Sequence, residues 1–177
     1  HYANSMKLIL FDIDGTLIST GGAGVRSLDY AFRDAFGIKN AFAEISMAGK
    51  TDVLIVKEAL ARHGLPNDNG VIPQILDLYL KHLANEILTS RLELKPGIKE
   101  ALDILKPRPE FTIGLLTGNL EDGARIKLNA FGIYDYFFCG AFGSDHEDRN
   151  QLLPIAVNRF QEMKRHEIGF NQCVIIG

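Results

Sequence analysis

The sequence has little that would tie it to a polyanion, a membrane or a disulfide framework. Its 19 basic and 22 acidic side chains leave a net charge of -3. Nowhere do Lys or Arg cluster in a run of the kind that holds nucleic acid or an anionic bilayer. Its longest apolar stretches are too short to span a membrane, and no secretory-signal pattern opens it. Only two cysteines are present, Cys139 and Cys173, each inside a hydrophobic run. Buried, reduced thiols are expected there, which fits a cytoplasmic setting. The five histidines are scattered without ligand spacing, which argues against a zinc site. There is no internal repeat and no low-complexity segment.

What the chain does have is apolar content, 46% of 177 residues. That is enough for one compact domain with a sizeable core, or for a core carrying a small insertion. His1 to Ser5 read as a leader added for expression, with Met6 the expected natural start.

One stretch organises the rest: Leu8-Ile9-Leu10-Phe11-Asp12-Ile13-Asp14-Gly15-Thr16-Leu17. An apolar run of strand length, expected from about Lys7 to Ile13, ends in two carboxylates spaced two apart. A glycine then lets the chain turn sharply. Alternation along a strand puts positions 12 and 14 on one side. Two neighbouring acids are unfavourable unless a cation or a reaction occupies the gap between them.

Helical periodicity follows a flexible glycine-rich stretch, Ser19 to Gly24. Val25, Leu28, Phe32, Ala35 and Phe36 form one apolar stripe. Val53, Val56, Leu60 and Ala61 form a second, and Val71, Ile75, Leu78, Tyr79, Leu83 and Ile87 a third. No strand pattern interrupts them, so 21–90 reads as an all-helical insertion. Pro96 suits the first turn of a helix that carries Ile98, Ala101, Leu102 and Leu105. Strands are expected at Phe111–Thr117, Tyr136–Cys139 and Cys173–Ile176, with helices after Asn119 and from Leu152 to about Met163. Strands alternating with helices predict a parallel sheet covered on both faces, an α/β fold.

In such sheets the ligand crevice lies beyond the carboxyl ends of the strands. Asp12 and Asp14, Thr117-Gly118-Asn119, and the loop from Asp145 to Arg149 all fall at such ends. Asp-x-Asp-Gly-Thr-Leu after a buried strand resembles the first motif of the haloacid dehalogenase (HAD) superfamily. Leu115-Leu116-Thr117-Gly118-Asn119 resembles its second.

That resemblance implies a three-layer Rossmann-like core over 6–20 and 91–177, with a helical C1-type cap over 21–90. It implies Asp12 as nucleophile and Asp14 as general acid and then base. It also implies Mg²⁺ held by the Asp12 carboxylate and the backbone carbonyl of Asp14. Thr117, with nearby backbone N–H groups including that of Gly118, is expected to bind phosphate. Asn119 is open between that role and capping the next helix.

The family's third motif offers a lysine, and the loop here has none. Arg149 is the expected substitute, against a surface arginine paired with Glu147 or Asp148. Ala48-Gly49-Lys50-Thr51-Asp52 resembles the specificity loop of phosphoglycolate-phosphatase-like members, which makes Lys50 a substrate-binding candidate. The alternative is that Thr51 or Asp52 caps the helix after it. The family's fourth motif places one or two acids after a strand ending in Gly. Here that position falls beyond Val174-Ile175-Ile176-Gly177, so the expected metal site is incomplete within these residues.

The implied function is Mg²⁺-dependent hydrolysis of a small phosphorylated metabolite through an aspartyl-phosphate. The alternatives are a β-phosphoglucomutase-like phosphomutase, a haloacid dehalogenase, or a non-catalytic phospho-ligand-binding module. Neither the exact substrate nor the oligomeric state is legible.

Overall fold

The computed structural model describes residues 6–68 and 70–177. The expected expression leader, residues 1–5, lies outside the described residues. The chain opens with β1 (Lys7–Phe11) and β2 (Ile18–Ser19), then three helices: α1 (Ala23–Phe36), α2 (Asp52–Arg62) and α3 (Val71–Thr89). There follow β3 (Glu93–Leu94), α4 (Ile98–Leu105), β4 (Phe111–Leu116), α5 (Glu121–Asn129), β5 (Cys139–Ala141), α6 (Leu152–Lys164) and β6 (Cys173–Ile176).

Among the described residues, β5, β4, β1 and β6 form one sheet in that order, and every pairing is parallel. β1 lies inside it, with Leu10 opposite Gly114 on one side and Ile175 on the other. Its alternation shows why the sheet is covered twice. Ile9 and Phe11 pack with Leu102 of α4 and with Ala124 and Leu128 of α5. Leu8 and Leu10 pack with Leu152, Ala156 and Phe160 of α6. The result is three layers, helix on sheet on helix. β6 forms the edge beyond β1, and Val174, Ile175 and Ile176 are exposed there.

α1, α2 and α3 bury a separate apolar cluster. Phe32, Phe42, Leu60, Ile75, Tyr79 and Leu83 lie inside it, and the Phe32 and Phe42 rings meet edge to face at 4.8 Å. Val25, expected on this stripe, is exposed instead and faces the cavity described below. The short antiparallel pair β2–β3, with Ile18 opposite Leu94, carries both chain crossings between the sheet and this helical unit. No helix among the described residues is long and apolar enough to cross a membrane.

Two strand expectations need correction. β1 ends at Phe11 rather than Ile13. The Ile13 carbonyl accepts hydrogen bonds from Thr16, Leu17 and Ile18 N–H, which closes a tight loop. Gly15 turns it at φ +81°, a left-handed value that glycine adopts without a Cβ clash.

The third strand is Cys139–Ala141, not Tyr136–Cys139, and Tyr134–Tyr136 is a 3₁₀ turn. The aromatic run is apolar because it packs: Tyr134, Tyr136 and Phe137 lie against the α4–α5 cluster, and Phe137 meets the Phe11 ring at 6.2 Å. Burial, not extended backbone, selects those residues. Of the two cysteines only Cys139 is buried; Cys173, on the edge strand, is half-buried, and both are free thiols.

Candidate active site

The loop after β1, the turn after β4, the start of α6 and the loop before α2 converge on one cavity of about 380 Å³. Asp12, Asp14, Thr117, Gly118, Asn119, Lys50 and Arg149 all line it, so sequence candidates separated by up to 137 residues share one wall.

Asp12 follows β1 directly, and its own N–H still bonds to the Ile176 carbonyl at 2.9 Å. Its Oδ1 accepts the Ile13 N–H at 2.8 Å. Its Oδ2 accepts Arg149 Nη2 at 2.6 Å. Arg149 opens the 3₁₀ turn Arg149–Gln151 that leads into α6. It is therefore not paired with its acidic neighbours: Glu147 bonds to Lys57, and Asp148 accepts the Asn150 N–H.

Asp14 lies past the strand end, its side chain half-exposed. Lys127 Nζ donates to both of its carboxylate oxygens at 2.9 Å, and Asn119 Nδ2 donates to Oδ2 at 2.8 Å. Desolvation pushes its pKa up, but the Lys127 charge and the Asn119 and Lys127 hydrogen bonds outweigh it. The carboxyl is held below its ordinary value.

Thr117 is fully buried and its Oγ1 accepts from the Asn119 N–H at 3.2 Å and from Asn119 Nδ2 at 2.8 Å. With the oxygen accepting twice, its O–H is left to donate into the cavity. Asn119 is not a helix cap: α5 begins after Leu120 with no side-chain cap from its own sequence. The first N–H groups there are met from a distance, Leu120 by Asp52 Oδ2 at 3.0 Å and Glu121 by Ser144 Oγ at 3.1 Å. Such groups have no partner within the helix.

Asp52 is thus a cap in an unforeseen sense, since it serves α5 rather than its own helix. Burial raises its pKa to about 6, with Lys127 and the bonds from Leu120 and Tyr79 pulling the other way. Thr51 does cap α2, accepting the Leu54 N–H at 3.2 Å. Lys50 reaches the cavity but its Nζ is engaged by Glu58 at 2.6 Å.

Gly118 is where the helical unit touches the sheet. Its carbonyl accepts the Asp52 N–H at 2.8 Å, and a Cβ on it would lie 2.1 Å from the Lys50 carbonyl oxygen. Only glycine fits that approach.

The family model described as haloacid dehalogenase-like hydrolase matches residues 6–177. The chain belongs to the haloacid dehalogenase-like hydrolases. Its relatives include the phosphoglycolate phosphatase of Vibrio vulnificus strain YJ016, 26% identical over 97% of this chain and 75% of the relative. Among solved structures it is similar to CbbY from Rhodobacter sphaeroides in complex with phosphate. That match has a TM-score of 0.74 at 17% identity, over 96% of this chain and 76% of CbbY. A predicted phosphoglycolate phosphatase from Haemophilus somnus 129PT matches with a TM-score of 0.64 at 20% identity, over 97% and 76%.

Sequence reasoning did not single out two cations of this HAD-like hydrolase. Lys95 follows β3 and lines the cavity. Lys127 is 4% exposed. Its signal was present: position 127 stands seven residues after Leu120 and three after Ala124, on the buried face of α5, where a lysine needs a partner.

The oxygen donors fit a hard divalent cation. Mg²⁺ is commonly held by one or two carboxylates together with waters and substrate phosphate oxygens, and the Asp12 carboxylate and Asp14 carbonyl supply that kind of donor. No group of three or more His, Cys, Asp or Glu that could hold a metal ion stands among the described residues. Gly177 lies against Asp12, a Cβ there falling 3.3 Å from the Asp12 Cβ.

Proposed function

We propose that this HAD-like hydrolase is a Mg²⁺-dependent phosphatase acting on a small phosphorylated metabolite through an aspartyl-phosphate on Asp12. The observation that carries the reading is the Asp12 carboxylate, fixed by the Ile13 N–H and Arg149, in a cavity shared with Asp14 and Thr117.

Asp12 attacks phosphorus, and the bond from phosphorus to the leaving oxygen breaks. Arg149 orients the nucleophile and offers its other N–H groups to the phosphoryl oxygens. Thr117 donates its hydroxyl to the same group, beside the start of α5. Asp14 gives a proton to the departing oxygen and then takes one from the water that cleaves the acyl phosphate. Without substrate, Lys127 holds Asp14 in the proton-accepting form. A phosphate dianion arriving beside it adds like charge and raises its affinity for the proton it must give. Mg²⁺, held at Asp12 and the Asp14 carbonyl, would supply charge neutralisation for the phosphoryl oxygens.

The helical unit over 21–90 serves in this reading as a cap. Its Lys50 loop meets Gly118 directly and closes the cavity to a size suited to a small metabolite. The relatives named above support a phosphorylated substrate of that class. Dehalogenation is disfavoured because a halide needs no proton, so Asp14 would be idle.

The test is release of inorganic phosphate from a panel of phosphate esters, with and without Mg²⁺, for the wild type and for Asp12→Asn. Release is expected only with Mg²⁺, and none from the variant, which keeps a wild-type melting curve. Turnover retained by Asp12→Asn would overturn the nucleophile assignment. A sugar product that keeps its phosphate would identify a mutase instead.

A further inference from the structure

Lys127 belongs to none of the motifs, yet it is one of the few charged side chains that the fold buries. An ammonium in such a place persists only when its hydrogens are met by anionic or polar acceptors. All three are met: Asp14 Oδ1 and Oδ2 at 2.9 Å each, and Asn119 Oδ1 at 2.7 Å. The Asn119 amide nitrogen closes the ring by donating to Asp14 Oδ2 and to Thr117 Oγ1, both at 2.8 Å.

The two partners differ in how firmly each is fixed. Asp14 stands on the loop after β1 with about half of its side-chain surface exposed, 49%. Lys127 rises from α5, whose Ala124 and Leu128 are fully buried. Gly24 at the start of α1 approaches the ammonium so closely that a Cβ there would lie 3.6 Å from Nζ. The lysine is the fixed post and the carboxylate is what it holds.

We propose that Lys127 is a positioning residue for Asp14, holding its carboxylate, together with Asn119, where the leaving-group oxygen departs. This rests on the phosphatase reading and deepens it, making Lys127 what sets the position of the Asp14 carboxylate. The three ammonium hydrogens are taken by Asp14 and Asn119, so the effect of Lys127 on the reaction is carried through the Asp14 carboxylate that Lys127 and Asn119 hold. Two consequences separate this from a merely structural lysine. In kcat/KM, which reports the step that expels the leaving group, its loss should matter only when that group needs a proton. Its loss should also cost nothing further once Asp14 can no longer give one.

The experiment compares wild type, Lys127→Met, Lys127→Arg, Asp14→Asn and the double variant Asp14→Asn/Lys127→Met on two probes. Phenyl phosphate has a poor leaving group; 2,4-dinitrophenyl phosphate has one stable without protonation. General-acid contributions of about 10² or more set the expected loss of kcat/KM for Lys127→Met on phenyl phosphate. On the dinitrophenyl ester the loss of kcat/KM should stay within about fivefold, because expelling that group requires no proton. By contrast kcat, which also reports hydrolysis of the aspartyl-phosphate with Asp14 as base, should fall on both esters. The double variant should match Asp14→Asn, as expected for residues acting as one unit.

If Lys127→Met fails to fold, Lys127→Arg carries the test. It keeps the charge but moves the donors, so its loss of kcat/KM should again be confined to phenyl phosphate. Equal losses of kcat/KM on both esters, or a further loss in the double variant, overturn the proposal while leaving an active phosphatase. A wild type that hydrolyses neither ester overturns the phosphatase reading, and this proposal with it.

Discussion

Asp52, in the first turn of α2, accepts the main-chain N–H of Leu120, 68 residues later, at 3.0 Å and so caps α5. The helical unit thereby completes the end of α5, the helix that carries Lys127. The bond is made by a carboxylate with only 9% of its surface exposed, and that placement gives it a pH dependence.

Burial raises the Asp52 pKa from 3.8 to about 6. The folded protein therefore holds this proton more tightly than the unfolded chain does. Its contribution to stability is fully present below pH 4 and is lost as pH rises through 6. At 1.36 kcal/mol per unit the whole effect is about 3 kcal/mol. Asp52→Asn keeps an acceptor for Leu120 and carries no charge. Its melting temperature relative to wild type should therefore climb by several degrees between pH 4 and pH 7. A difference that stays flat across that range rules out Asp52 as the titrating group. Asp145 has the opposite sign: burial raises its pKa, but Arg159 and the Phe142 N–H outweigh burial and lower it. Its contribution is lost on acidification.

Gly118 gives a sharper steric test. An added Cβ would meet the Lys50 carbonyl at 2.1 Å and the Thr51 Cα at 3.1 Å, and both are backbone atoms that cannot swing aside. Gly118→Ala should push the Lys50 loop off the sheet and break the Asp52 N–H bond to the Gly118 carbonyl. Overpacking of this kind costs about 1–3 kcal/mol. Turnover should fall by about tenfold or more, because displacement at such a site is felt by the reacting groups. Circular dichroism should remain that of the wild type. A variant with normal melting and normal turnover would show that this contact is not what seats the helical unit.

The parts legible in sequence are those where one residue type has one local meaning. An apolar run ending in Asp-x-Asp-Gly locates β1 and its acids. Runs of the same kind locate β4 and β6, and periodic stripes locate α1, α2 and α3. Arg149 is legible only through the resemblance, which implies a cation in that loop, and the structure pairs it with Asp12. What sequence could not supply was partnership across the chain. Nothing near Asp52 announces that it will face Leu120, and nothing near Lys127 names Asp14, 113 residues away. β2 and β3, two residues each, are too short to carry a period. The aromatic run at 134–138 misled because burial and extended structure select the same side chains.

Arg149 offers the last test, and the distinction between arginine and lysine is what makes it informative. Its guanidinium meets Asp12 Oδ2 at 2.6 Å through Nη2, which leaves the rest of a planar fork to face a phosphate. A lysine ammonium is a point donor on a flexible stem and reproduces the charge without the fork. Arg149→Ala removes both, so kcat/KM for a phosphate ester should fall by about 10² or more. Inhibition by inorganic phosphate should weaken in parallel. Arg149→Lys should recover most of the phosphate affinity and part of the rate, within about tenfold of wild type. Both quantities matter together. If Arg149→Ala lost rate but kept phosphate inhibition, the arginine would serve Asp12 alone, and the phosphate would have to be held by Thr117 and the other cations lining the cavity.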